Sequence, residues 1–444
     1  MNTMTQNPIL YLLRNRNTRR EKGICSCCSA NEYVIRAALR RGKAHGTVVL
    51  VESTANQVNQ DGGYTGMTPA AFREFLERLA AEEDFPREKL ICGGDHLGPL
   101  TWTALPEEQA MARAEELIRS YVLAGFSKIH IDASMRVADD DPGARLSDET
   151  IARRGARLCR AAEDAFAQYR GTHPESPAPA YVIGSEVPIP GGARENEDSV
   201  AVTAPADCEA TLAEFRRAFA ALGLDDAWER VAALVVQPGV EFADDSVVTY
   251  DRAAARELTA CLKHHPGLVF EGHSTDYQPR ERLREMVEDG VAILKVGPAL
   301  TFALREGLFA LEQIERELYG VSDFPCSHFR AVLEQAMLED KSQWTNYYHS
   351  DLPRKRYARA FSYSDRARYY LVHPRVRAAT QALLANLGSA NIPMALLSQY
   401  MPVQYARVQA GKLPLRAADL LIDRVGDCID DYLYATIKEE APCR

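Results

Sequence analysis

Short apolar runs of four to six residues recur along the first two thirds of the chain, each followed by a polar loop and an amphipathic stretch. The runs fall at 23–28, 47–52, 90–94, 128–132, 181–186, 232–237, 268–271 and 292–296. They are nearly continuous in apolar character, as expected of strands buried on both faces of a parallel sheet. The stretches between them read as helices. Residues 31–43 open on the capping residue Asn31 and place Val34, Ile35, Ala38 and Leu39 on one face. Residues 106–124 begin with Pro106 and the acidic pair Glu107 and Glu108, which suit a helix N-terminus. Ser147 opens a helix over 147–166, and Gly290 closes one over 279–289. Eight strands alternating with helices predict an α/β protein, a (β/α)8 TIM barrel. An open doubly wound sheet is the rival, but no Gly-rich dinucleotide fingerprint follows the first run.

The rhythm breaks twice. Residues 171–180 are Pro-rich and read as a surface connector. After about Leu318 the strand signal ends, Val321-Ser322-Asp323-Phe324-Pro325 marks a turn, and the remainder reads mostly as helices. The expected organisation is a barrel over 1–320 and a C-terminal helical extension over 321–444 packed on it.

Composition narrows the partners. The 444 residues carry a net charge of −10, which argues against nucleic acid, since phosphate backbones demand a basic face. No apolar run approaches the ~20 residues that span a bilayer. The run Ile9-Leu10-Tyr11-Leu12-Leu13 is too short for a signal-peptide core, so a cytoplasmic location is expected. Cys25, Cys27 and Cys28 crowd near the start. They read either as half of a metal site, for which no second Cys/His cluster exists, or as ordinary residues of a buried strand.

Polar residues fall at or just past the predicted strand ends: Glu52, Asp95-His96, Asp132, Glu186, Gln237, Glu271-Gly272-His273 and the turn at Gly297. Barrel active sites lie at this rim. His96 and His273 are the best metal ligands, since imidazole with carboxylate partners and an open position suits zinc or another divalent metal. Glu186 or Gln237 is expected to complete the set. Asp95, beside His96, could orient the imidazole or serve as the proton-transfer base. His130 alternates with Ile129 and Ile131 and is expected to pack between barrel and helices, while His264-His265 reads as solvated. Lys295-Val296-Gly297-Pro298-Ala299-Leu300-Thr301 closes the eighth strand, where barrels often bind phosphate, so Gly297, Ala299 and Thr301 are the candidate phosphate-binding residues, with Glu52 a further substrate-binding candidate. Gly62-Gly63-Tyr64-Thr65-Gly66 reads as a flexible loop able to act as a lid.

These landmarks resemble the GatZ/KbaZ family, the partner subunits of D-tagatose-1,6-bisphosphate aldolase, whose members also carry the name tagatose-6-phosphate kinase. The matching segments run from Glu52 to Pro69, through Gly93-Gly94-Asp95-His96-Leu97-Gly98-Pro99, Val236 to Phe242 and Phe270 to Gln278. More distantly, the order of elements is similar to the class II aldolase barrel. That resemblance implies a base and a zinc ligand at Asp95 and His96, a catalytic match at Ile131-Asp132, a zinc ligand at His273 and a phosphate loop near Val296-Gly297. Where the aldolase pattern places a third zinc-binding His, this chain has Gln237-Pro238, so Asp95, Glu186 and Asp132 stand as catalytic candidates beside an altered metal set.

Three functions follow as expectations. The first is an accessory component that supports a class II aldolase catalytic subunit. The second is a metal-dependent ketose (phosphate) 4-epimerase working by retro-aldol cleavage and re-addition. The third is a sugar-phosphate-binding regulator. Kinase chemistry is not expected, because neither a Gly-x-x-x-x-Gly-Lys-Ser/Thr loop nor a kinase motif set is present. A sugar phosphate is the expected ligand in each case, and self-association into a homo-oligomer is left open.

Overall fold

The structure, a computed structural model, describes residues 6–185, 200–349, 351–388 and 392–438. Eight parallel strands close into a barrel: β1 (Ile24–Cys28), β2 (Val49–Thr54), β3 (Leu90–Leu97), β4 (Lys128–Ile131), β5 (Ala180–Ile183), β6 (Val231–Val236), β7 (Val269–Gly272) and β8 (Val291–Val296). Each strand pairs with its sequence neighbours, and β8 closes on β1 through Ile24↔Ile293 and Cys27↔Val296. The expected barrel is therefore the one observed. A two-residue hairpin, Glu241–Phe242 with Val247–Val248, follows β6.

Strand parity divides the barrel into an outer apolar shell and a layered lumen. Outward residues such as Val51, Ile129, Ile131 and Leu294 pack under the helices. At the amino-terminal end the lumen is filled by Leu50, Ile91, Val182, Val269 and Ile293. That layer is closed from below by the helix Pro8–Arg14, which buries Ile9, Leu10, Leu12 and Leu13 against it. Asn7 caps this helix and donates its side-chain amide to the carbonyls of Ser127 and Ala178, just ahead of β4 and β5. The apolar run near the chain start is thus a plug. Burying an aliphatic side chain is worth about 1.5–3 kcal/mol, so four of them fix it firmly.

The helices at Glu32–His45, Glu107–Leu123, Asp148–Thr172 and Arg280–Glu288 follow the predicted segments, with Asn31 and Ser147 supplying side-chain caps. The described residues after Gly320 are mostly helical and pack on the barrel. The last helix, Ala417–Thr436, packs against Glu32–His45, Arg280–Glu288 and β1, taking a place in the outer ring. Arg40 and Arg41 pair with its Asp419 and Asp423. Further back, the short turn Arg366–Tyr370 lies over the carboxyl-terminal mouth, where the Tyr369 ring meets Tyr64 edge-on at 4.9 Å. The glycine loop around Tyr64 therefore rests on the extension. Among the described residues no helix is long and apolar enough to cross a membrane.

Candidate functional site

The middle layer of the lumen is ionic. Lys128 Nζ lies 2.6 Å from Glu52 Oε1 and 2.6 Å from Glu271 Oε2, and all three side chains are fully buried. Ser26 donates to Glu52 at 2.7 Å, and Lys295 bridges Glu52 to Asp95, with 3.0 Å to the latter. Room for this layer comes from Gly93, where a Cβ would sit 2.6 Å from Glu52 Oε1. Burial alone would raise the Glu271 carboxyl, but Lys128 and His273 outweigh it and hold its pKa at about 2. Glu52 was expected at the ligand. It lies instead one layer below, as a fully buried ion-pair partner.

Above this layer, Asp95, His96, His130 and His273 converge, each offering one ligand atom within 4.8 Å of the others. The three imidazole centroids form a near-equilateral triangle with sides of 4.9, 5.1 and 5.2 Å. Adjacent residues of a regular strand face opposite ways, yet Asp95 and His96 both face inward. The β3–β4 pairing explains this. Gly93 pairs with Lys128 and Gly94 with Ile129, but Leu97 pairs with Ile131, so β3 carries an extra residue at Asp95-His96. His96 takes φ +47° there, and this bulge swings its ring into the lumen.

Second partners orient each ring. His96 Nδ1 is 2.8 Å from Asp132 Oδ2, and Asp132 in turn accepts from the Ser134 N–H and hydroxyl. His273 Nε2 is 2.9 Å from Glu271 Oε1. His130 Nδ1 receives the His96 backbone N–H at 3.1 Å and lies 2.9 Å from Asp95 Oδ1. Its Nε2 is buried without a hydrogen-bond partner, an orphan polar atom at the cluster. Buried atoms of that kind call for an explanation, and a metal ion answers it. Three imidazoles and one carboxylate match the donors that zinc and similar divalent ions take. Burial lowers the pKa of His273, favouring its neutral, ligating form, whereas Asp95 and Asp132 outweigh burial at His96 and raise its pKa. Burial would raise Asp95, but the surrounding histidines hold it ionised.

Several expectations are corrected here. His130 does not pack between barrel and helices. Lys128 and His130 share the inward parity of β4, while Ile129 and Ile131 face out. The alternation of Lys128, His130 and Asp132 with two isoleucines was the available signal, since outward positions of a barrel strand are the apolar ones. Gln237 does not join the cluster, because its Oε1 accepts from the Gly239 and Val240 N–H groups and so caps its own turn. Asp132 positions His96 rather than facing the ligand space. Glu186 lies outside the described residues.

The phosphate turn is already engaged. Asp276, from the loop after β7, accepts from the N–H groups of Gly297 and Ala299 at 3.0 and 2.8 Å, and Thr301 donates to Asp365 at 2.6 Å. A carboxylate of the chain itself stands where an external anion was expected. Nor do the three cysteines of β1 form a metal site together. Cys27 packs outward, and Cys28 faces inward, 3.4 Å from Asp95.

Asp276 yields a pH prediction. Burial raises its pKa from 3.8 to about 6, against the two N–H bonds that favour the anion. A carboxyl raised in the folded state stabilises the fold below the unfolded value and loses that contribution as pH rises through about 6. Asp276→Asn keeps an acceptor oxygen for both N–H groups and carries no charge. Denaturation midpoints should coincide at pH 4 and favour the variant by ~2–3 kcal/mol at pH 8. A difference that does not change with pH would refute this account.

The cluster opens into a cleft of about 490 Å3, whose walls include Asn31, Gln57, Tyr64, Asp276, Arg368 and Tyr369. Barrel and C-terminal helices together define a (β/α)8 protein whose carboxyl-terminal strand ends carry a His/Asp cluster of metal-ligand type. The chain belongs to the D-tagatose-1,6-bisphosphate aldolase subunit GatZ/KbaZ-like family, whose pattern matches residues 9–437. A solved structure described as a probable tagatose 6 phosphate kinase from Sinorhizobium meliloti 1021 is 45% identical, covers 93% of this chain and 100% of its own, and superposes with a TM-score of 0.84. A fructuronate-tagaturonate epimerase from Cohnella laeviribosi is 13% identical over 93% of this chain and 81% of its own, with a TM-score of 0.46. A fructose-bisphosphate aldolase from Campylobacter jejuni is 11% identical over 85% and 91%, with a TM-score of 0.42.

Proposed function

We propose that this chain is a component of a D-tagatose-1,6-bisphosphate aldolase that supports a class II catalytic subunit and holds a phosphorylated ketose in its own barrel. The family match over residues 9–437 carries the first half of the reading. The second rests on the cleft, which joins the histidine cluster to an arginine-bearing cap. A phosphorylated sugar does not cross membranes unaided, so this work belongs in the cytoplasm.

One observation favours a second reading. His96, His130 and His273 make a more complete donor set than a scaffold needs, with Asp95 beside them as a base rather than a ligand. That set suits C4 epimerisation of a ketose phosphate by retro-aldol cleavage and re-addition. A divalent ion held there would supply Lewis-acid polarisation of the ketose carbonyl. Asp95, held ionised and contacted by Lys295, is placed to take the proton of a substrate hydroxyl, and the buried lumen below excludes water.

One variant in two assays separates the readings. With a class II catalytic subunit and tagatose 1,6-bisphosphate, the wild-type chain should raise or prolong cleavage, and His273→Ala should preserve that effect, since support of a partner needs surface. In a separate assay of fructose 6-phosphate and tagatose 6-phosphate interconversion, the epimerase reading requires turnover that His273→Ala lowers by ~100-fold or more. A wild-type chain without effect on the partner sinks the first reading. Absence of interconversion sinks the second.

A further inference from the structure

The strand-eight turn was the expected anchor for phosphate, yet its N–H groups already serve Asp276. An anionic ligand in this cleft must therefore find its counter-charge elsewhere. The cap supplies it. Arg368 lines the cleft, and its Nη1 donates to the carbonyls of Ser364 and Asp365, with 3.0 Å to the latter. Its Nη2 lies 3.2 Å from the Tyr369 hydroxyl. Among the described residues no carboxylate comes within ion-pair distance of Arg368 or of its neighbour Arg366, whose buried Nη1 has no hydrogen-bond partner. The nearby Asp365 is taken by Arg305 at 2.9 Å and Thr301 at 2.6 Å. Both guanidiniums flank the Tyr369 ring, at 4.5 Å for Arg368 and 4.6 Å for Arg366. Burial would raise the Tyr369 hydroxyl, but these two cations outweigh it and hold its pKa below the usual tyrosine range. The cap of an otherwise acidic protein thus presents, without a directly ion-paired carboxylate, the Arg368 guanidinium to the same cleft that Asp95, His96 and His273 line.

We propose that Arg368, with the Tyr369 hydroxyl beside it, is the phosphate-recognition site for a sugar phosphate whose carbon chain reaches down to the histidine cluster. The inference rests on the reading above that the ligand is a phosphorylated ketose, and it deepens that reading by moving phosphate recognition from the barrel turn to the extension. The arrangement suits the task. The two carbonyls and the Tyr369 hydroxyl fix the guanidinium plane and leave the Nε–H and one Nη2–H for a planar fork onto phosphate oxygens. The barrel alone would then bind the sugar but not its phosphate, and the extension would set the preference for phosphorylated over free ketose.

The test is calorimetric binding of fructose 6-phosphate, fructose and inorganic phosphate to the full chain, with no catalytic partner added. The wild type should bind fructose 6-phosphate more tightly than fructose. Arg368→Ala should weaken fructose 6-phosphate by about 10- to 100-fold and leave fructose unchanged, as loss of a charge-assisted contact implies. Arg368→Lys should recover part of the loss, and Tyr369→Phe should lose several-fold. Arg377→Ala removes an exposed cation of the same cleft and should cost little. Equal binding of the two sugars by the wild type overturns the proposal. So does Arg368→Ala binding fructose 6-phosphate as the wild type does, or Arg377→Ala losing as much as Arg368→Ala. If Arg368→Ala fails to fold, unchanged affinity in both Arg368→Lys and Tyr369→Phe overturns it equally. Because no partner is present, a failed cleavage assay with Arg368-dependent binding intact would sink the subunit reading alone.

Discussion

Replacing His130 by alanine is expected to lower the barrel's affinity for an added divalent metal by about 100-fold or more, with little change in fold. His130 closes a triangle of imidazoles with sides near 5 Å, and its Nε2 is the buried atom that hydrogen bonding leaves without a partner. Losing a group that merely orients a ligand already costs about 10–100-fold in metal affinity, and losing a ligand costs at least as much. The measurement is metal stoichiometry after dialysis against a weak chelator, with zinc, cobalt and manganese tried in turn. His264→Ala, at an exposed position outside the cluster, is the control. Were His130 a structural residue, the variant would unfold earlier while the folded fraction kept its full metal content. Were Gln237 the third ligand, Gln237→Ala would show the loss instead. Its oxygen already accepts two backbone N–H groups, so that variant should disturb the turn and leave metal content intact.

The contrast between His130 and Gln237 shows what the chain discloses before folding. Period and composition disclose the barrel. All eight apolar runs become strands, because a segment buried on both faces leaves little choice of residue type. The caps at Asn31 and Ser147 were equally legible, since each depends on one side chain and its next few neighbours. Asp95, His96 and His273 were legible because they stand at strand ends, where barrels keep their chemistry. His130 was visible but assigned to the wrong face, although the isoleucines that alternate with it mark the outward side of β4. The ionic layer of Glu52, Lys128 and Glu271 lies on the same inward side. The β3 bulge that turns His96 inward leaves no local signature, being a mismatch between two strands rather than a property of one. The same holds for Asp276, a loop residue whose contact with the β8 turn spans more than twenty positions. The cap's Arg368 reaches the cleft only through the packing of the helical extension.

Lys128→Ala should be the most damaging single change to stability, costing about 3–5 kcal/mol. Its ammonium is the shared partner of Glu52 and Glu271, at 2.6 Å from each, and none of the three touches solvent. Removing the cation leaves Glu52 with Lys295, Ser26 and the weak Cys28 thiol donor, and leaves Glu271 with His273. Water cannot compensate, because the plug helix closes the lumen below and the histidine cluster lies above. An intact buried ion network adds little net stability over a well-packed apolar core, whereas a broken one strands charge in a low-dielectric interior. The triple variant Glu52→Gln, Lys128→Met, Glu271→Gln should therefore recover most of the loss. Unpaired buried carboxylates take up protons, so the deficit of Lys128→Ala should also be smaller at pH 5 than at pH 8. Chemical denaturation of the single and triple variants at both pH values tests this, and a single variant within about 1 kcal/mol of the wild type would show that the network is not load-sharing. The same layer supports the histidine cluster, because Glu271 contacts the ring of His273 and Lys295 contacts Asp95. The triple variant should accordingly fold well yet hold metal about 10- to 100-fold more weakly, since a glutamine orients His273 less strongly than a carboxylate does.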